Sequence, residues 1–296
     1  NENLDGVINA LGAGVPSRFT PINVQASDQS ITIGVKQIYQ GAWNPVAGLT
    51  DTYSTQIWFT LFDPSLTGHP FSGKIFPIRT NWEIETDGPK SVVNVPADAI
   101  IWDSKSKNWK EVGPNTFAIS KATFDLNFGE WHNGQKMNMN DIIYSTYFLL
   151  EWGSEKDEND KTFDSDYSPQ AAQTAKTLVG IKPIDNDTIE VYTNYWHFDE
   201  GEIASWASPW SSMPWEIMAA MEKTVVDGKS SFSRSESLTK NVSWLSLIIP
   251  NDARMIQSQL EDFKSSNFIP DALTDSQQIT DFQIDRYQSS IDWINQ

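Results

Sequence analysis

The 296-residue chain contains no cysteine. Disulfides, cysteine-held zinc and cysteine nucleophiles are therefore excluded, while the compartment stays open. Histidine is scarce too, with three in all. His69, His132 and His197 stand far apart, in none of the spacings that hold a metal, so neither a metal nor a cofactor is expected. Basic residues are in short supply, 21 Lys and Arg against 39 Asp and Glu, for a formal net charge of −18. A phosphate backbone or an anionic lipid surface would be repelled, which excludes nucleic acid and favours a neutral or cationic ligand. The same charge also serves plain solubility. No apolar run approaches the roughly 18 residues of a membrane-spanning helix. Neither a Gly-x-Ser-x-Gly elbow nor a phosphate loop occurs.

Tryptophan, by contrast, is abundant, with 13 residues. Several sit in strand-like runs and belong in a core; a minority are free to line a cleft, where indoles stack on sugars and peptides. The chain opens on Asn1 with neither a signal-like stretch nor a lipid-attachment cysteine, and is expected to be a piece of a longer protein. Two N-glycosylation tripeptides occur, at Asn186-Asp187-Thr188 and Asn241-Val242-Ser243.

Periodicity divides the chain into three parts. Residues 1–30 are small and polar and read as a linker or tail, with one short helical turn near Val7 to Leu11. Residues 31–212 mix strands and helices. The run at 31–38 alternates as a strand, and Ile57, Trp58, Leu61 and Phe62 space as a helix face ended by Pro64. Short β-rich runs fill 71–112, and Ala122, Phe124, Leu126 and Phe128 share one face of a strand. Asn138 and Asp141 then form a capping box for a helix with a stripe of Met139, Ile143, Tyr147 and Leu150, stopped by Gly153. A short helix, a strand, a tight Asp-Asn-Asp turn and a second strand follow through Thr193. Residues 213–296 carry three helical patterns, the middle one capped by Asn251 or Asp252. They form a helical segment that either packs on the same lobe or belongs to a second one. This order implies an α/β or α+β class.

The segment Phe124–Ser145 joins a strand, the turn Trp131-His132-Asn133-Gly134 and an Asn-capped helix with an acid at its third position. It resembles the signature of the family 5 extracellular solute-binding proteins, the receptors of peptide, nickel and oligosaccharide ABC importers. The Asn-Pro loop at 43–63 and the hairpin at 178–193 are similar to the family's flanking text, in the same order. The resemblance covers roughly positions 31 to 193 and fades after about Ser212. It implies one lobe of a periplasmic-binding-protein-like fold of type II, with a mixed sheet and flanking helices. It also implies a monomer that captures a peptide or oligosaccharide-like solute outside the cell, extracellular or periplasmic and membrane-anchored at full length. The partners would be the membrane subunits of an ABC permease, and no reaction would be catalysed. The stretch from Asp87 to Thr116 is longer than the family's usual linker, which marks an enlarged branch.

Several residues are candidates for a site. In the family, the loops after the first strand and after the signature helix face the cleft, which points to Trp43, Asn44, Tyr53, Trp152 and Tyr167 as ligand contacts. His132 and Asp141 read either as an acid/base pair or as parts of a turn and a cap, and the cap accounts for Asp141 in full. The acidic loop from Asp157 fails the EF-hand pattern, having Thr162 and Ser168 where Gly and Glu are needed, and leaves only a loose surface calcium site. Asp199, Glu200 and Glu202, close to Trp196, Trp206 and Trp210, are the alternative as carboxylates of a carbohydrate-active enzyme. A surface module acting only as scaffold is the third reading.

Overall fold

The computed structural model describes residues 23–27, 30–34, 41–48, 54–55, 64–274 and 282–295. Tyr53, the turn near Val7, the helix expected at 57–62 and the link at 275–281 lie outside the described residues. In chain order, β1 (Asn23–Ser27) and β2 (Ser30–Gly34) form a hairpin, and β3 (Leu66–Gly68) and β4 (Ile75–Pro77) a second ribbon. Next come β5 (Thr80–Glu85), β6 (Val93–Val95), β7 (Ile100–Asp103), β8 (Asn108–Glu111), β9 (Thr116–Ala118) and β10 (Ser120–Leu126). Helices α1 (Met139–Trp152) and α2 (Ser168–Thr177) lead into β11 (Leu178–Pro183) and β12 (Thr188–Thr193). The remainder is α3 (Glu200–Ala207), α4 (Trp215–Val226), β13 (Ser230–Ser231), α5 (Arg234–Lys240), β14 (Ser243–Trp244), α6 (Pro250–Ser266), α7 (Asp271–Thr274) and α8 (Phe282–Ile294).

Six strands make the main sheet, in the order β5-β10-β12-β11-β7-β8, and every pairing in it is antiparallel. The expected mixed sheet is thereby corrected: this is an α+β arrangement. The reason lies in the connections. β7 to β8 and β11 to β12 are hairpins, and the helical excursion from β10 to β11 leaves a gap that β12 fills, antiparallel to both neighbours. Phe124 pairs with Ile189 on one side and Trp82 on the other, and Ala122 with Val191 and Ile84. This apolar face carries the main core. On the opposite face Lys121 bridges Glu85 at 2.7 Å, and the β6–β9 ribbon covers Tyr192 with a small second core of Val93, Val95, Ala99 and Ala118.

Helix α1 crosses the apolar face. Its capping box forms as its sequence dictates: Asn138 accepts from the Asn140 amide at 3.0 Å, and Asp141 accepts from the Asn138 amide at 2.9 Å. The single stripe is corrected. Ile142, Tyr144, Phe148 and Trp152 are buried as well, because the sheet lies on one side of α1 and α2 and α4 lie on the others. Gly153 ends the helix with ordinary right-handed dihedrals; its missing side chain lets α2 approach, since a Cβ there would lie 2.4 Å from that of Ala171. In α6 the cap position is Ile249, not Asn251 or Asp252; Asp252 reaches back instead to the Ser246 amide at 2.8 Å.

Residues from α4, α6 and α8 share one continuous core with β10 and α1. What joins them is ionic. Arg286 on α8 donates to Asp141 at 2.7 Å and to Glu216 on α4 at 3.0 and 2.8 Å, and all three are buried. Its third nitrogen donates to the Lys136 carbonyl at 3.1 Å, and its guanidinium lies 5.5 Å from the Trp215 ring centre. Asp141 also accepts from the Trp215 amide at 2.9 Å, so one carboxylate caps α1 and holds the start of α4.

Arg286→Met would leave two buried carboxylates without their cation. Urea unfolding should show a loss of about 3–5 kcal/mol. Asn138→Ala, which removes one cap bond, should cost about 1 kcal/mol. Equal losses in the two variants would mean that the ion cluster contributes no more than an ordinary cap.

Candidate functional site

A pocket of about 90 Å³ opens where α1, α2, the β11–β12 hairpin and the end of α3 meet. Roughly three waters occupy that volume in the liquid, so it admits one small ring edge or side chain rather than a whole drug-sized ligand. Leu149, Leu178, Ile181 and Val191 line it, together with Trp206, Ser208, Pro209 and Trp210. Hydroxyls line the space between: Ser145 and Thr146 from α1, Thr174 and Thr177 from α2, and Thr193 from β12. Among the described residues no ionisable side chain lines it.

Local bonding holds these groups in place. The Trp206 indole donates to Thr177 Oγ1 at 2.8 Å, and its ring stacks on Tyr195 with centroids 4.6 Å apart. Ser145 donates to the Trp210 carbonyl at 3.1 Å, and the Trp210 ring stacks on Phe128 at 6.5 Å. Thr146 bonds back to the Ile142 carbonyl and Thr193 to that of Thr177, at 3.0 and 3.3 Å. Thr174 Oγ1 has no partner among the described residues. An uncharged site with indole faces and hydroxyl acceptors suits a neutral, polar, partly apolar ligand.

The residues expected from the sequence lie elsewhere. Asn44 is buried and saturated: its amide donates to the carbonyls of Phe232 and Leu245 at 2.9 and 2.7 Å, and its oxygen accepts from the amides of Val46 and Ala47. The amide of Trp43 donates to Ser246 at 3.0 Å. Trp152 is 1% exposed and packs on Phe232 with centroids 4.8 Å apart. Phe148 touches Trp152, Phe232 and Tyr167 at once. Burial raises the Tyr167 phenol well above its ordinary value. Asn44 and Trp152 are therefore brought together at Phe232, with Tyr167 joined to them through Phe148, and none of the four that are described lines the pocket.

Asp199 caps α3 by accepting from the Gly201 amide at 2.9 Å, with Glu200 and Glu202 in the same first turn. Three acids on one turn do not face one another across a cleft. His132 is exposed on its turn, and Asp141 is the cap and ion partner described above. The acidic loop folds around Lys156, whose ammonium contacts Glu151 and reaches Thr162 at 2.7 Å and Asp160 at 3.4 Å. The chain's own cation thus sits among these acids, and among the described residues no group of three His, Cys, Asp or Glu is arranged to hold a metal.

Two buried carboxylates lie outside every expectation. Glu151 accepts from the Trp102 indole at 2.7 Å and from Thr162 at 2.6 Å. Glu222 accepts from Tyr144, Tyr147 and the Trp152 indole at 2.5, 2.6 and 3.1 Å. Burial pushes the Glu222 carboxyl up from its ordinary value of 4.5, and its three donors pull part of the way back. Only the aromatic donors betray such a site in sequence, and they reach Glu222 from a helix some seventy residues earlier.

The sign of the pH effect follows. With its pKa raised in the folded state, Glu222 costs nothing while both states are protonated, and stability falls as pH rises above 4.5 through the folded value. Glu222→Gln should flatten that part of the stability profile in urea unfolding at stepped pH. An unchanged slope would assign it to other carboxyls.

No family model matches the chain, and no curated protein matches it.

Proposed function

We propose that this chain is part of an extracellular solute-binding receptor for an ABC importer, capturing an oligosaccharide-like or peptide solute without chemical change. The proposed architecture is one lobe of a type II periplasmic-binding-protein-like fold, with the signature strand, turn and capped helix at its centre. The resemblance of residues 31–193 supports the family reading. The observation that carries the ligand reading is the pocket between α1, α2 and α3, which Trp206 and Trp210 line together with hydroxyls and, among the described residues, no ionisable side chain.

The missing charge has a consequence for selectivity. A free peptide brings an ammonium and a carboxylate, each of which loses water on entering and needs a partner. A neutral sugar brings hydroxyls, which Thr174, Thr177 and Ser208 can meet, and an apolar ring face that stacks on indole. The pocket therefore favours the oligosaccharide end of the proposed range, as a subsite for one ring. Capture would proceed by closure against a second lobe, followed by delivery to the permease.

Titration calorimetry with neutral oligosaccharides and with peptides, on this chain and on its full-length parent, tests the reading. Oligosaccharide should bind without turnover, and Trp206→Ala should weaken it about tenfold, or ~1.4 kcal/mol. Unaltered binding by Trp206→Ala and Trp210→Ala variants would remove the pocket from the ligand's path. Release of a cleaved product would overturn the receptor reading itself.

A further inference from the structure

We propose that Asn133 is a site of spontaneous covalent modification, deamidation through a succinimide, and that helix α8 docked against the turn holds the reaction in check. Asn133-Gly134 is the only Asn-Gly pair in the chain. Gly134 carries no side chain to shield its amide; it sits at φ +80° with open space where a Cβ would be. Two bonds oppose the reaction. The Gly134 N–H donates to the Trp131 carbonyl at 2.8 Å, and Asn133 Nδ2 donates to Ser290 Oγ on α8 at 2.8 Å. Asn133 Oδ1 accepts in turn from the Gln135 amide at 3.1 Å, and the Gln135 side chain donates to Ser289 at 2.5 Å. Ring closure needs the Asn133 side chain to swing onto the Gly134 nitrogen, which means leaving Ser290.

The chemistry is self-contained. A base takes the Gly134 amide proton, the nitrogen attacks Cγ of Asn133, and the Cγ–Nδ2 bond breaks as ammonia leaves with an added proton. Water then opens the five-membered imide at either carbonyl, giving aspartate or isoaspartate. The sum is amide plus water to carboxylate plus ammonium, with no oxidant or reductant.

The product acts on the fold. Ser290 Oγ gives its one proton to Glu216 at 2.9 Å and accepts from Asn133. A carboxylate at 133 has no proton to give, so Ser290 would lie between two acceptors. The new charge would also join Asp141 and Glu216, whose cation among the described residues is Arg286. Isoaspartate further lengthens the backbone inside the tight turn. Docking of α8 and the intact amide therefore support each other, and by linkage whatever frees one weakens the other.

The test incubates the full chain at mildly alkaline pH and follows each asparagine by peptide mapping and isoaspartyl methyltransferase labelling. Ser290→Ala should speed conversion at Asn133 about fivefold, the factor carried by one net hydrogen bond, with other asparagines unchanged. If that variant unfolds, every asparagine will accelerate, and Gln135→Ala, which removes only the bond to Ser289, decides instead. Asn133→Asp should lower the urea midpoint of the otherwise unmodified chain. Equal rates in wild type and both variants, no conversion at all, or an Asn133→Asp chain as stable as wild type would each overturn the proposal.

Discussion

The described fold depends on one buried ion cluster, in which Arg286 stands between Asp141 and Glu216. Three parts of the chain meet there: the capped start of α1, the start of α4 and the last helix. Hydrophobic burial alone would allow these helices to slide, because apolar contact has no direction. A guanidinium fork bonded to two carboxylates and a carbonyl has direction, and it fixes where α8 sits along α4. Burial raises the Glu216 carboxyl above its ordinary value, and the Arg286 charge pulls it part of the way back.

The same shortage of cations explains much of the aromatic content. Among the described residues six acids are buried, Asp141, Glu151, Asp164, Glu216, Glu222 and Asp252, against one buried cation, Arg286. Indole and phenol groups supply the missing donors: Trp102 to Glu151, and Tyr144, Tyr147 and Trp152 to Glu222. A tryptophan used this way packs its ring in the core and spends its one N–H on an acid, which serves both needs of a buried aromatic. Trp206 and Trp210 instead line the pocket, and the Trp206 indole donates to Thr177 rather than to an acid.

The pocket is built from pieces that have no local relation. Ser145 and Thr174 come from two helices, Thr193 from a strand, and Trp206 and Trp210 from the helix and loop beyond it. Of the described residues expected at a cleft, Asn44 and Trp152 are buried and Trp43 and Tyr167 are half-buried. Asn44 became a clamp on the Phe232 and Leu245 carbonyls because its amide satisfies four backbone groups at once. Trp152 lies at the end of a helix buried well beyond one stripe, so its indole met Glu222 rather than solvent.

By itself the sequence determined the local pieces: the alternation of β10, the Asn138–Asp141 box, the hairpin after α2, and the helices at 215–226 and 250–266. Each depends on side chains within a few residues of one another, where periodicity and capping act directly. Only the tertiary structure decided the rest: an antiparallel rather than mixed sheet, burial of α1 well beyond one stripe, and Arg286 as the partner of Asp141. Those outcomes rest on contacts between residues far apart in the chain, and the energy of a buried charge or hydroxyl depends on neighbours that no local pattern specifies.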